Sequence, residues 1–280
     1  MSGPVTPAPP RAYEDILVAR GEGRATITID RPDRLNALRT QTLDELCHAF
    51  EAAVLDEGVG VIVFTGAGDR AFCVGGDVRD PTRTSTEKRR QAALFMRLAE
   101  TIRTSGKPVI VRVRGYCIGA GNELNIVSDL TISGASGVFG QAGTRLGWAP
   151  TLWTAQILAR MAGEKRAREV VYMSRRYPAD EAVRLGLANV VVPDEELDAE
   201  VDRWCEQILR RSPEGLRLAK LGLNAGTDFA RQSILASGEM HILNHLFGPE
   251  PQEGLIAFRE RRLTDWRRFR RGEGPEPADD

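Results

Sequence analysis

The chain has 280 residues, 42% hydrophobic and 28% charged, with a formal net charge of −1. This is ordinary globular composition, and the near-neutral balance argues against nucleic acid or an anionic membrane as a partner. The apolar runs are only strand length, so no segment is expected to span a bilayer, and four scattered cysteines (Cys47, Cys73, Cys117, Cys205) without a CxxC fit a reducing cytoplasm.

Residues 1–11 are rich in proline and lack the basic-then-apolar order of a signal peptide; they predict a disordered lead-in. Residues 16–18 and 25–29 flank Gly21-Glu22-Gly23 and read as a hairpin, which Arg31-Pro32-Asp33-Arg34 ends. Leu43, Leu46, Phe50 and Ala53 recur at helical spacing, predicting a helix over 40–55. A buried strand over 59–65 runs into Gly66-Ala67-Gly68 and then a second glycine turn, CVGGD, at 73–77. The polar stretch 79–88 predicts a mobile loop and 91–102 a helix. A strand over 108–113 then feeds RGYCIGAGNELNIVSD (114–129), a small-residue turn opening a helix. Short strands are predicted at 130–133, 138–139 and 190–192, and helices at 152–161, 165–173, 178–184, 195–209, 213–224, 230–246 and 252–262. The alternation followed by helices implies an α/β core over 12–210, a helical region over 211–271 and a disordered tail over 272–280.

A strand feeding a glycine turn into a helix presents free N–H groups at the positive end of the helix dipole. Glu123 lies three residues after Ala120, on the same face of the first turn. It could serve only as a dipole-complementing acid there. The second turn, Val74-Gly75-Gly76-Asp77, changes that balance, because two such turns converging on one oxygen would form an oxyanion hole. Other patterns lead to less. Gly66-x-Gly68-x-x-Ala71 mimics a dinucleotide fingerprint, but AFCVGGDV does not open a helix. His241 and His245 bound HILNH, which lacks the Glu of a zinc-protease motif and suggests no third ligand, His48 has no evident partner, and no G-x-S-x-G occurs; no metal site is expected. Residues 259–271 carry seven arginines with Trp266 and Phe269, yet also Glu260 and Asp265, which favours a solvated helix or subunit contact over an RNA surface.

The stretches DRPDRLNAL (30–38), FTGAGDRAFCVGGDV (64–78), KPVIVRVRGYCIGAGNELNIVSDLTIS (107–133), FGQAGTRLGW (139–148) and AREVVYMSRRYPADEAVRLGLANVVVP (167–193) resemble the crotonase (enoyl-CoA hydratase/isomerase) superfamily, over about residues 16–269. The resemblance implies a ββα spiral core with a helical C-terminal trimerisation region, assembled as a homotrimer or dimer of trimers, and an acyl-CoA thioester substrate. Coenzyme A would be part of the substrate, with no tightly bound cofactor. Residue by residue, it implies oxyanion-hole N–H groups at Gly76 and Ala120, a coenzyme A contact at Arg34, Leu35 and Ala37, and a general acid/base at Glu123. The second catalytic glutamate of the hydratases falls at Gly143. FGQ-x-G, AREVVYMSRRY and RERRLTDW also resemble the branch of dihydroxynaphthoyl-CoA synthase and ring-opening ketoacyl-CoA hydrolases, where glycine at that position is usual and bicarbonate can act as base. Four positions depart from that branch: Trp148 and Pro150 replace its serine and aspartate, Val171 replaces its bicarbonate-site tryptophan, and Glu123 replaces a valine-like residue. Trp148 and Trp153, with Gly143, are expected on the wall of an acyl pocket.

Overall fold

The hairpin is formed by β1 (Ile16–Gly21) and β2 (Arg24–Ile29), antiparallel, with Glu22 and Gly23 in left-handed conformations between them. A computed structural model of the protein describes residues 12–79, 84–151, 153–228, 248–264 and 266–270. The expected lead-in, the 230–246 helix with His241 and His245, and the tail over 272–280 lie outside the described residues.

From the hairpin the large sheet continues in parallel through β3 (Val61–Gly66), β5 (Val109–Val113), β7 (Leu130–Gly134) and β10 (Val190–Val192). Every residue of β3 is buried, as expected of a parallel strand covered on both faces. Alternation sorts its side chains. Val61 and Val63 join Ile110 and Ile132 under Leu197, Val201 and Cys205 of α7 (Leu197–Leu209). Ile62 and Phe64 face the main core. There Phe64 meets Phe50 and Phe72 edge to face, at 5.2 and 5.1 Å between ring centroids, the arrangement aromatic quadrupoles favour.

A second sheet has four strands. β4 (Ala71–Cys73), β6 (Tyr116–Ile118) and β8 (Val138–Gly140) lie parallel and adjacent, and β9 (Arg176–Pro178) closes the sheet antiparallel to β8. β4, β6 and β9 were not expected as strands; at three residues each they are too short to show a period. The helix α1 (Thr40–Leu55) has the expected limits. The next, α2 (Ser85–Thr104), corrects the expectation, since it begins within the stretch read as a mobile loop. The Thr84 hydroxyl accepts the Glu87 N–H at 3.2 Å, an N-cap that starts the helix despite its polar first turns.

α3 (Ala120–Val127), α4 (Thr154–Ala162), α5 (Glu164–Met173) and α6 (Ala179–Arg184) follow, and α8 (Pro213–Asp228) comes after α7. Pro249–Glu260 forms α9 and Trp266–Arg270 forms α10. α9 crosses the short 3-10 turn Gly143–Leu146 so closely that a side chain on Gly254 would lie 2.5 Å from the Leu146 carbonyl. That contact brings the C-terminal helices over the second sheet. No helix among the described residues is long and apolar enough to cross a membrane.

Candidate active site

Three parallel strands end side by side, and the site is built from the turns that leave them. β4 runs into residues 74–77, β6 into Gly119 and α3, and β8 into Gln141. Because β4 and β6 are neighbours, their two glycine turns are forced together. The approach is too close for side chains. A Cβ on Gly121 would lie 2.3 Å from the Cys73 carbonyl oxygen, and one on Gly75, at φ +94°, would lie 3.1 Å from the Ala120 nitrogen.

The first turn is pinned on its outer side. Leu38 N–H donates to the Gly75 carbonyl at 2.8 Å and accepts from Asp77 N–H at 2.8 Å through its own carbonyl. Backbone N–H groups alternate in direction along such a bridge, so the Gly76 N–H is turned away from Leu38. Arg31 holds the Asp77 carboxylate at 2.9 Å and also donates to the Ala37 carbonyl. Buried Asn36 shapes the preceding loop, where Leu35 and Asn36 take left-handed φ values. Its amide donates to the Ala67 and Ala71 carbonyls at 3.0 and 2.7 Å and accepts from Arg31 N–H at 3.0 Å. Among the described residues, neither the Gly76 N–H nor the Ala120 N–H, at the start of α3, has a protein acceptor.

Both residues line a cavity of about 880 Å³, with Glu123, Gly143 and Trp148. Arg34, Leu35 and Ala37 line it at another edge, and Leu255, Phe258 and Trp266 of the C-terminal helices contribute as well. Trp153 is a correction to the expected pocket wall. It is 1% exposed, packed in the main core before α4, with the Arg103 guanidinium 5.3 Å from its ring centroid. Gly143 offers no empty slot for a second carboxylate. A Cβ there would lie 2.9 Å from the Trp148 carbonyl oxygen, because Trp148 folds back to donate its N–H to the Gly143 carbonyl at 2.8 Å.

Glu123 is 8% exposed. Burial pushes its carboxyl group up to about 7, against hydrogen bonds from Thr151 and Gln141 that favour the anion. Gln141 Nε2 donates to Oε1 at 3.2 Å; Thr151 donates its N–H to Oε2 at 3.2 Å and its hydroxyl to the same oxygen. Gln141 and Thr151 were not singled out from sequence. They meet Glu123 across 18 and 28 residues, and only the adjacency of β6 and β8 brings them there. Arg145, Tyr116 and Arg176 also line the cavity unanticipated, with the Arg176 guanidinium 5.3 Å from the Tyr116 ring centroid.

Other candidates stand apart. His48 Nδ1 pairs with Tyr13 Oη at 2.8 Å on the surface. Burial raises the Cys73 thiol to about 12 and Cys117 well above its ordinary range, so neither is a poised nucleophile. Arg262, in the arginine-rich stretch, is held by Glu253 and Glu260 at 2.6 Å each. No group of three His, Cys, Asp or Glu among the described residues could hold a metal ion. The cavity is thus lined by two residues whose main-chain N–H groups have no protein acceptor among the described residues, Gly76 and Ala120, and by a buried carboxyl group that burial pushes toward neutrality.

Residues 19–269 match the family described as Enoyl-CoA hydratase/isomerase. An enoyl-CoA hydratase from Mycobacterium avium subsp. paratuberculosis K-10 is similar at 27% identity and a TM-score of 0.82, with 91% of this chain and 99% of that chain covered. An enoyl-CoA hydratase/isomerase from Xanthobacter autotrophicus Py2 shares 28% identity at a TM-score of 0.79, covering 95% and 100%. An enoyl-CoA hydratase/carnithine racemase from Magnetospirillum magneticum shares 30% identity at 0.71, covering 91% and 96%. The sequence match over most of the chain and the shared fold agree: the chain belongs to the enoyl-CoA hydratase/isomerase family, within the crotonase superfamily.

Proposed function

We propose that the protein processes an acyl-CoA thioester through an enolate, as a lyase or isomerase of its family's type. The Gly76 and Ala120 N–H groups hold the thioester oxygen, and Glu123 moves the proton. The observation that carries this reading is the buried Glu123 carboxyl, raised to about 7, on the helix that opens at Ala120 and beside the Gly75–Gly76 turn. Arg34, Leu35 and Ala37 at the cavity edge would meet the coenzyme A portion, and Gly143 and Trp148 would bound the acyl group. Removing one positioned proton transfer costs roughly 10²–10⁴-fold. Glu123→Gln is therefore expected to lose that much turnover on whichever enoyl- or cyclic ketoacyl-CoA the wild type processes, and equal turnover by both proteins would reject the role.

The Trp148 carbonyl packed against Gly143 favours chemistry with one carboxylate over the two-carboxylate hydration of water onto a double bond. The glycine at 143, usual in the synthase and ring-opening branch, gives weight to a second reading, carbon–carbon bond formation or ring cleavage with bicarbonate as base. Bicarbonate-dependent turnover that survives Glu123→Gln would select that reading. Salt-sensitive RNA binding without turnover of any thioester would select a non-catalytic role instead. Exposed Leu218 and Leu221 on α8, and Ile256 and Phe258 on α9, support an assembly of copies through the C-terminal helices, with a trimer or hexamer expected by sedimentation.

A further inference from the structure

We infer that Thr151 is a positioning residue for Glu123: it occupies Oε2 and so assigns proton transfer to Oε1. The inference rests on the enolate reading above. A carboxylate has about four lone-pair directions, two on each oxygen. Oε2 has both engaged, by the N–H and the hydroxyl of the same residue, Thr151. Oε1 accepts a single bond, from Gln141 Nε2 at 3.2 Å, and keeps a lone pair. The Thr151 N–H is fixed by the backbone and cannot turn to accept, so a proton on Oε2 could lie only toward the hydroxyl, which would first have to reverse and accept it, whereas Oε1 takes a proton with no such rearrangement.

Thr151 lies three residues before the start of α4, whose N-cap position is Trp153. The Thr151 carbonyl accepts the Thr154 N–H at 3.3 Å, but its hydroxyl turns back to Glu123, and no side-chain cap is present on α4. Thr151 also borders the cavity. Gly143 carries no side chain, and a Cβ there would crowd the Trp148 carbonyl, so within the 143–151 segment it is Thr151 that holds the carboxyl.

In a double-bond shift the proton balance closes on one atom. Oε1 takes the proton from the carbon beside the thioester carbonyl. The electron pair of that C–H bond moves into the carbonyl, whose oxygen becomes anionic between the Gly76 and Ala120 N–H groups. The pair then returns along the conjugated chain, and Oε1 delivers the same proton to a carbon further out. No oxidant, reductant or metal is required.

The test compares Thr151→Val, which removes the hydroxyl and keeps the N–H, with Thr151→Ser, which restores it. Glu123 is titrated by infrared difference spectroscopy of its carboxyl band, subtracting Glu123→Gln, so the readout does not depend on turnover. A lost hydrogen bond to a charged group is expected to move the Glu123 titration upward by about one pH unit in Thr151→Val and not in Thr151→Ser. Turnover at pH 6 on a wild-type substrate falls roughly ten-fold in Thr151→Val while KM stays within about two-fold. A wild-type titration in Thr151→Val, or the same rise in Thr151→Ser, overturns the inference. If Thr151→Val does not fold, Thr151→Ala carries the same comparison. Full turnover in Glu123→Gln combined with a raised titration in Thr151→Val would overturn the proton-carrying role of Glu123 in the proposed function while leaving the control of its carboxyl by Thr151 standing.

Discussion

Glu123 couples protonation to stability. Burial, opposed by the Thr151 and Gln141 hydrogen bonds, lifts its carboxyl group from 4.5 to about 7. Between those values the folded protein holds a proton that the unfolded chain has released. Stability therefore falls as pH rises through the window and levels off above it. At about 1.4 kcal/mol per pH unit, the cost approaches about 3 kcal/mol above neutrality. Glutamine has the same shape and no titration. Glu123→Gln is predicted to match the wild type near pH 4 and to exceed it by about 2–3 kcal/mol at pH 8, measured by urea unfolding at each pH. A constant difference across that range would show that the carboxyl titrates normally. Asp15 shows the opposite balance: burial also raises its pKa, but hydrogen bonds from Arg39 and Thr42 and the nearby Arg31 outweigh it and hold the group below its usual range. Asp15 is tied to guanidinium partners away from the cavity, whereas Glu123 is held by Thr151 and Gln141 and lines it, which makes Glu123 the chemical candidate.

Between elements, the decisive contact is α3 against the end of β4. Gly121 has no room for a side chain beside the Cys73 carbonyl, so Gly121→Ala must push α3 away from β4. Overpacking of this kind costs about 1–3 kcal/mol, and a displacement near 1 Å in a reacting group costs about 10²-fold in rate. We predict both for Gly121→Ala, by unfolding and by turnover; unchanged turnover would show that the spacing of the two turns is not critical. Long periodic elements such as α1 and the β1–β2 hairpin were legible in the sequence because each repeats its signal several times. β4, β6 and β9 were not, and the start of α2 was hidden by polar residues although Thr84-Ser85-Thr86-Glu87 carries the capping signal. The glycine turns and Glu123 could be read because their meaning is local. Thr151 and Gln141 could not, since a threonine after a proline and a glutamine after a strand announce nothing until strand order places them. Trp153 was misplaced for a related reason: tryptophan serves cores and pocket walls alike.

Across the whole molecule, the C-terminal helices are tied to the α/β core by buried polar anchors as well as by apolar packing. Lys220 of α8 is 6% exposed; its ammonium contacts Asp129 at 2.7 Å and donates to the Ile102 and Lys107 carbonyls at 2.7 and 2.9 Å. Burial lowers its pKa, with Asp129 opposing that shift. Breaking a buried pair on one side costs about 3–5 kcal/mol, and Asp129 is partly solvated, so Lys220→Met is predicted to lose about 2–3 kcal/mol. The urea midpoint should drop with an unchanged slope; a lower slope would mean that α8 detaches separately from the core. On the proposed reading, the adjacency of β4 and β6 has a further consequence, for how the protein would tolerate sequence change. The two groups that hold the substrate oxygen are main-chain N–H groups, which no substitution except proline can delete. A saturation scan over 74–76 and 119–121 would then rank variants by bulk and backbone freedom, almost regardless of polarity or charge. Position 123 would stand out as the one site where chemical identity outweighs size. The catalytic signature of the fold would thus appear mostly as a pattern of forbidden volume, centred on a single carboxyl group.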